Sequence, residues 1–225
     1  MFIALLTLAL SAFAGEAVDL ETRDGVQLVA DYYPSAKKGP AVVLLHMIPP
    51  HHDRKTWPAQ FIASLEKAGY AVIVPDRRGS GDSKGAPEDA YKGEKGRYDA
   101  EAAVKHLQKA GFTKLAVIGA SNGTTSAIDY ATWAPKNDLP AVDVLGFMTG
   151  GGYTESQTKM AEVAKIPSIF TFSTDERKWS VAQKAVNGDW SFHEYKGGAH
   201  GTKMFGPKPE VGSDILAFLK AELGG

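Results

Sequence analysis

Short apolar runs alternate with longer amphipathic stretches along most of the chain. Six runs are apolar enough to predict strands buried in a sheet, and they span residues 41–45, 71–74, 115–118, 142–148, 169–172 and 190–195. Ahead of them, residues 17–22 and 26–33 flank the turn signal Asp24-Gly25. That arrangement predicts a β-hairpin.

The stretches between the apolar runs show helical spacing. In residues 57–68, Phe61, Ile62 and Leu65 share one face, and Gly69 ends the pattern. Further helices are predicted over residues 98–110, 123–134 and 211–223. Because strand and helix alternate from residue 41 onward, we predict an α/β fold. Its mostly parallel central sheet has helices on both faces and the N-terminal antiparallel hairpin at one edge.

Composition adds little to this picture. The chain has 225 residues, of which 44% are hydrophobic, and residues 15–225 suit a single α/β domain. Its formal net charge of -1 gives no indication of a nucleic-acid partner. The oligomeric state is not readable from the sequence.

The N-terminal segment has a separate interpretation. Residues 1–14, MFIALLTLALSAFA, are almost wholly apolar and end in a small-x-small pattern. This pattern predicts a signal peptide, and the run is shorter than the roughly 20 residues of a membrane span. No Lys or Arg precedes Arg23, which is unusual for a signal peptide. We expect a periplasmic or secreted protein, with no stable membrane span after cleavage.

The sequence GASNG at 119–123 lies between a predicted strand and a predicted helix. It matches G-x-S-x-G, the nucleophile elbow, in which a serine sits on a tight strand-to-helix turn. Bulky side chains at 119 or 123 would collide with neighbouring backbone. Ser121 is therefore the candidate nucleophile, and the Asn122 N–H is a candidate oxyanion donor at the helix N-terminus.

A serine nucleophile needs a base, and the chain has six histidines. His200 lies in GGAHG at 197–201, a loop between the last predicted strand and the last helix. Such loops reach the carboxyl edge of a sheet, so His200 is the candidate base. His106 is assigned to a helix surface and His193 to the last strand.

The remaining histidines do not predict a metal site. The neighbours His51, His52 and Asp53 match no metal-ligand spacing, so we expect no metal and no cofactor. His46 follows the strand at 41–45 and is expected to shape the site.

The base also needs a carboxylate to fix its tautomer. Asp175 and Glu176 both follow the strand at 169–172. Asp175 is the first choice, because Asp is the usual acid, and Glu176 is the rival. The order serine, acid, histidine along the chain is that of α/β-hydrolases.

These motifs make the chain resemble an α/β-hydrolase, close to the compact, dienelactone-hydrolase-like branch without a lid domain. Four segments carry the resemblance, in family order: AVVLLHM at 41–47, DRRGSGDS at 76–83, GASNG at 119–123 and GGAHG at 197–201. In the second segment, Gly79 and Gly81 permit turns and Asp76 accepts loop amides, so we expect a structural role for it.

The chain departs from the family pattern after the first of these segments. Relatives usually have His-Gly there, whereas this chain has His46-Met47-Ile48 followed by two prolines without N–H groups. The second oxyanion amide is then Ile48 or Met47, and Ile48 is favoured. Dienelactone hydrolases proper use a cysteine nucleophile, which this chain lacks.

The resemblance implies a serine hydrolase that cleaves small carboxylic esters through an acyl-enzyme on Ser121. His46, Met47 and Tyr153 are the expected substrate-binding residues. Only residues 149–165 lie where relatives insert a lid, so an open site is expected. Two alternatives stay open. One is another acyl hydrolase, such as a peptidase, amidase or lactonase. The other is a non-catalytic binding protein of the same fold.

Overall fold

The structure is a computed structural model that describes residues 15–36, 39–151 and 155–224. The predicted signal peptide at 1–14 and the predicted substrate contact Tyr153 lie outside the described residues.

Eight strands are present in the described ranges. They are β1 (Glu16–Glu21), β2 (Gln27–Tyr33), β3 (Ala41–Leu45), β4 (Ala71–Pro75), β5 (Leu115–Ala120), β6 (Val144–Met148), β7 (Ser168–Ser173) and β8 (Ser191–Tyr195). They form one sheet in the order β1-β2-β4-β3-β5-β6-β7-β8. The β1–β2 and β2–β4 pairs are antiparallel, and the other pairs are parallel.

Helices connect the parallel strands. The α-helices of the described part are α1 (Ala59–Lys67), α2 (Gly96–Lys109), α3 (Gly123–Trp133), α4 (Arg177–Ala182) and α5 (Glu210–Leu223). Short 3-10 segments include Arg54–Thr56, Glu155–Val163, Thr174–Glu176 and Gly201–Phe205. No helix in the described ranges is long and apolar enough to cross a membrane.

The sheet separates two hydrophobic cores. Successive side chains of a strand point to opposite faces, so β3 contributes to both cores. Val43 and Leu45 pack in the core that includes residues of α2 and α3. Val42 and Leu44 pack in the core that includes residues of α1 and α5. The predicted α/β fold, with helices on both faces and an antiparallel N-terminal hairpin, is confirmed.

Most predicted boundaries agree with the structure to within two residues. The six-residue helix α4 was not predicted, because it is short and its sequence RKWSVA has little helical periodicity. This helix packs the Trp179 side chain against Phe147 and Phe170.

The topology brings several loops to one edge of the sheet. Because β3, β5, β6, β7 and β8 run parallel, their carboxyl ends lie on the same side. Ligand sites of open α/β sheets form at this edge. The loops that carry Ser121, Glu176 and His200 all leave the sheet there.

Candidate active site

Ser121 occupies a strained turn between β5 and α3. Its φ of 51° lies in the left-handed region, which non-glycine residues rarely adopt. The Ser121 N–H donates to the Met148 carbonyl at 2.7 Å, and the Ser121 carbonyl accepts from the Thr124 N–H at 3.0 Å. These bonds hold the turn from both sides.

The two glycines of the GASNG sequence are required by close backbone contacts. A Cβ on Gly119 would lie 2.4 Å from the Gly123 carbonyl carbon and oxygen. A Cβ on Gly123 would lie 2.4 Å from the Leu45 carbonyl oxygen. Atoms cannot approach so closely without displacing the backbone. The predicted steric reason for small residues at these positions is confirmed.

Ser121, His200 and Glu176 form one hydrogen-bonded chain. His200 Nε2 lies 2.6 Å from Ser121 Oγ, and His200 Nδ1 lies 2.9 Å from Glu176 Oε1. Ser121 is 4% exposed, whereas the side chains of His200 and Glu176 are 35% and 39% exposed. The serine therefore lies at the bottom of the site and the other two groups form its wall.

The preference for Asp175 over Glu176 is wrong for the contact with His200. Both residues belong to the 3-10 segment Thr174–Glu176 that follows β7. Successive residues of such a segment point about 120° apart, so only one of two adjacent carboxylates faces a given direction. Glu176 faces His200, and Asp175 is exposed to solvent.

Thr149 holds the histidine loop and was missed by the sequence analysis. It follows β6 with a φ of 50°, a second non-glycine residue in the left-handed region. Its Oγ1 accepts a hydrogen bond from the Gly201 N–H at 3.1 Å. The three glycines that follow Thr149 in the sequence are typical of a turn, but no motif predicts a role for the threonine side chain.

In the described structure, unpaired backbone amides occur in the loop after β3 and at the start of α3. Within the described residues, the N–H groups of Asn122 and Ile48 have no hydrogen-bond acceptor, and the same holds for Met47. Asn122 is the N-cap of α3, where the helix dipole favours negative charge. The assignment of Asn122 and Ile48 as oxyanion donors stays a prediction, and their unpaired amides are compatible with it.

His46 and Met47 do not present their side chains to a substrate, which corrects their prediction as substrate-binding residues. His46 is fully buried, with Nδ1 2.7 Å from the Met47 carbonyl and Nε2 accepting from the Arg77 N–H at 2.8 Å. Met47 is 1% exposed. A Cβ on Gly201 would lie 2.6 Å from its Sδ, so the thioether packs beneath the histidine loop.

The loop at 76–83 organises its surroundings as predicted. Asp76 accepts from the Arg54 N–H at 2.7 Å and the Asp82 N–H at 2.8 Å, and it pairs with the Arg54 guanidinium. Gly79 and Gly81 both have positive φ. Its arginine Arg77, which the sequence analysis left without a specific role, contacts both segments that border Ser121.

A cavity lies beside Glu176. Its volume is about 580 Å³, and it is lined by Thr149, Gly150, Gly151, Glu176, Lys178, Trp179 and Ala182. The Trp179 ring lies directly against Gly150, where a Cβ would approach Cζ3 to 2.1 Å. Only Thr149, Glu176 and Lys178 have polar side chains among these lining residues, so the cavity is largely apolar.

His51 ends a turn that follows β3, and His52 and Asp53 lead into the segment Arg54–Thr56. The Asp53 carboxylate accepts from the Lys55 N–H at 2.8 Å and caps the segment Arg54–Thr56. In the described part of the chain, no three His, Asp or Glu side chains are grouped closely enough to hold a metal ion.

Comparison with known proteins agrees with this architecture. Residues 40–137 match the family model described as alpha/beta hydrolase fold. This match and the observed topology agree on an α/β-hydrolase fold for the chain. The narrower likeness to dienelactone hydrolases stays a prediction. No curated protein is significantly similar to this chain in sequence.

Several solved structures share this fold. An esterase of Pyrococcus furiosus is 19% identical, with a TM-score of 0.75, over 94% of this chain and 92% of that one. The hydrolase GrgF of a Penicillium species is 12% identical, with a TM-score of 0.76, over 95% and 100%. A bromoperoxidase of Bacillus anthracis is 14% identical, with a TM-score of 0.72, over 91% and 100%. Their names differ in chemistry, so the likeness establishes the fold alone.

The contact at Gly123 generates a stability prediction. Gly123→Ala is expected to lower the free energy of unfolding by about 1–3 kcal/mol, because its Cβ meets the Leu45 carbonyl. Urea unfolding measures the change. Gly188→Ala is the control, since a Cβ there lies 3.8 Å from its nearest neighbour and should leave stability unchanged. Equal stability of the two variants would contradict the packing argument.

The buried His46 generates a pH prediction. Burial and the charge of Arg77 hold the pKa of His46 well below its usual range, so the folded protein keeps this ring neutral. Below about pH 6.5, the unfolded chain binds a proton there that the folded chain does not. The free energy of unfolding therefore decreases as the pH falls below this value, by about 1.4 kcal/mol per pH unit.

The measurement compares wild type with His46→Gln. Unfolding free energies recorded between about pH 7 and 5 should fall more steeply for wild type than for the variant. The other histidines are present in both proteins and cancel in the difference. Parallel curves would show that His46 does not resist protonation in the folded state.

Proposed function

We propose that this protein is a serine hydrolase that cleaves small carboxylic esters through an acyl-enzyme on Ser121. The observation that carries the proposal is the chain of hydrogen bonds from Ser121 Oγ through His200 to Glu176, at 2.6 and 2.9 Å. Nucleophile, base and orienting acid stand in the order that acyl transfer requires. Glu176 takes the place of Asp175 in this proposal.

The first half-reaction acylates the serine. With its proton on Nδ1, His200 donates to Glu176 and accepts the Ser121 proton at Nε2. Ser121 Oγ attacks the ester carbonyl, and the developing oxyanion accepts from the Asn122 and Ile48 amides. The imidazolium then gives its proton to the departing alcohol, and the carbonyl reforms.

The second half-reaction releases the acid. A water molecule enters as the alcohol leaves. His200 takes a proton from this water, and the water oxygen attacks the acyl-enzyme. Collapse of the tetrahedral intermediate expels Ser121, which recovers its proton from His200. Atoms and charges balance without a metal or a cofactor.

The cavity next to Glu176 and the short connection after β6 favour small esters over long lipids. The cavity of about 580 Å³ beside Glu176 is of a size that suits a small molecule. Only residues 149–167 separate β6 from β7, a connection too short for a lid domain. We therefore expect short esters to be hydrolysed faster than long-chain triglycerides.

We also propose that residues 1–14 direct export and that the mature protein begins near Gly15. The proposal rests on the apolar run and its Ala12-Phe13-Ala14 ending. N-terminal sequencing of the protein recovered from the periplasm or medium of an expressing bacterium would test it. A retained Met1 would exclude cleavage.

The proposed activity generates a turnover prediction. Purified Gly15–Gly225 protein is expected to hydrolyse p-nitrophenyl acetate and p-nitrophenyl butyrate, and Ser121→Ala is expected to fall to the background rate. The variant is essential as a control, because surface groups attack such activated esters slowly. Equal rates for both proteins would refute the assignment of Ser121.

The choice of acid generates a second prediction. Glu176→Gln should lower kcat by about 10²- to 10⁴-fold, because the amide neither fixes the His200 tautomer nor stabilises the imidazolium. Asp175→Asn is the matched control, one residue away and solvent-exposed. Its kcat should stay at the wild-type value. The reverse pattern would return the role to Asp175.

A further inference from the structure

Arg77 is a buried cation that the proposed mechanism does not use. Its side chain is fully buried, and among the described residues it forms no ion pair. Its neighbour Arg78 is equally buried but pairs with Asp99 and Asp24, each at 2.8 Å. Removing a guanidinium from water without a paired carboxylate is costly, so its retention calls for an explanation.

The Arg77 guanidinium bonds to both segments that border the oxyanion position. Nη1 donates to the His46 carbonyl at 3.3 Å and the Met47 carbonyl at 3.4 Å, and to Asn122 Oδ1 at 2.9 Å. The first two acceptors lie on the segment with the Ile48 amide. The third belongs to the residue whose own amide is the other donor.

Further bonds anchor the same side chain. Nη2 donates to the Ala90 carbonyl at 2.6 Å and to Ser126 Oγ at 2.8 Å, and Ser126 lies on α3. The backbone N–H of Arg77 donates to His46 Nε2 at 2.8 Å. Arg77 thus joins the loop after β3, the elbow and the first turns of α3.

The charge of this group remains on the guanidinium. The Arg77 guanidinium donates to five acceptors, and all of them are neutral oxygens. Three are backbone carbonyls, one is an amide oxygen and one is a hydroxyl. Burial lowers the pKa of Arg77 to about 10, which still leaves the group protonated at neutral pH. A fixed positive charge behind two free amides favours negative charge in front of them.

We propose that Arg77 is a positioning residue for the oxyanion hole. Its planar fork fixes the Ile48 and Asn122 amides relative to each other, and its charge adds to the potential at the oxyanion. The inference rests on the proposed acyl transfer at Ser121. Arg77 does not touch the substrate, so its effect falls on the transition state and not on substrate binding.

The test compares Arg77→Lys with Arg78→Lys. Lysine keeps the positive charge but not the planar fork, and it bonds through one nitrogen only. For Arg77→Lys, kcat on p-nitrophenyl butyrate should fall at least about 10-fold, toward the about 10²- to 10³-fold cost of losing an oxyanion donor. KM should change little, because ground-state binding is unaffected.

Arg78→Lys is the matched control for the loss of a buried arginine in the same loop. Both variants should have a lower melting temperature than wild type, but kcat of Arg78→Lys should stay at the wild-type value. Two results would overturn the inference. One is an Arg77→Lys variant with reduced stability and unchanged kcat. The other is an equal loss of kcat in both variants, which would indicate general disruption of the loop.

A milder variant keeps the inference testable if Arg77→Lys does not fold. Asn122→Ala removes the Oδ1 acceptor but retains the Asn122 backbone amide, and that side chain makes no capping bond to α3. It should lower kcat with little change in KM. An unchanged kcat would overturn the positioning role.

Wild-type turnover and its loss in Ser121→Ala are measured first. A wild-type protein without esterase activity would refute the proposed function. An active wild type together with a fully active Arg77→Lys would refute only the role of Arg77.

Discussion

The left-handed turn at Ser121 is the constraint on which the site depends. A φ of 51° at a non-glycine residue is unfavourable by about 1–3 kcal/mol, and the surrounding structure must impose it. It does so because α3 begins directly against β3, so closely that Gly123 has no room for a Cβ beside the Leu45 carbonyl. The turn brings Ser121 Oγ to His200, and the Asn122 amide that follows it has no acceptor among the described residues.

The other groups of the site are placed by the parallel sheet, although they come from distant parts of the chain. Loops after β7 and β8 bring Glu176 and His200 to Ser121, and Thr149 ties the histidine loop to the end of β6. Beneath them, Arg77 joins the loop after β3 to the elbow. The partly exposed side chains of His200 and Glu176 are thus held by buried residues. This arrangement suits groups that must exchange protons next to amides in fixed positions.

The sequence predicted those features that depend on local chemistry. Ser121 and the glycines around it follow from the sterics of the turn, and the helices and strands follow from the apolar periodicity. It did not separate Asp175 from Glu176, because that choice depends on the rotation of a 3-10 segment after β7. His46 and Met47 were expected to contact substrate, yet tertiary packing buries both side chains. Thr149 and Arg77 act through contacts between distant loops, which periodicity and motifs do not reveal.

Covalent labelling of the wild-type protein by a fluorophosphonate tests the central claim most directly. The probe reacts only with a serine that is activated by a base and faces an oxyanion hole. Intact-mass spectrometry should show one adduct per chain, and peptide mapping should place it on Ser121. A folded protein that remains unlabelled, or one labelled at another serine, would contradict the account and favour a binding protein built on the same fold.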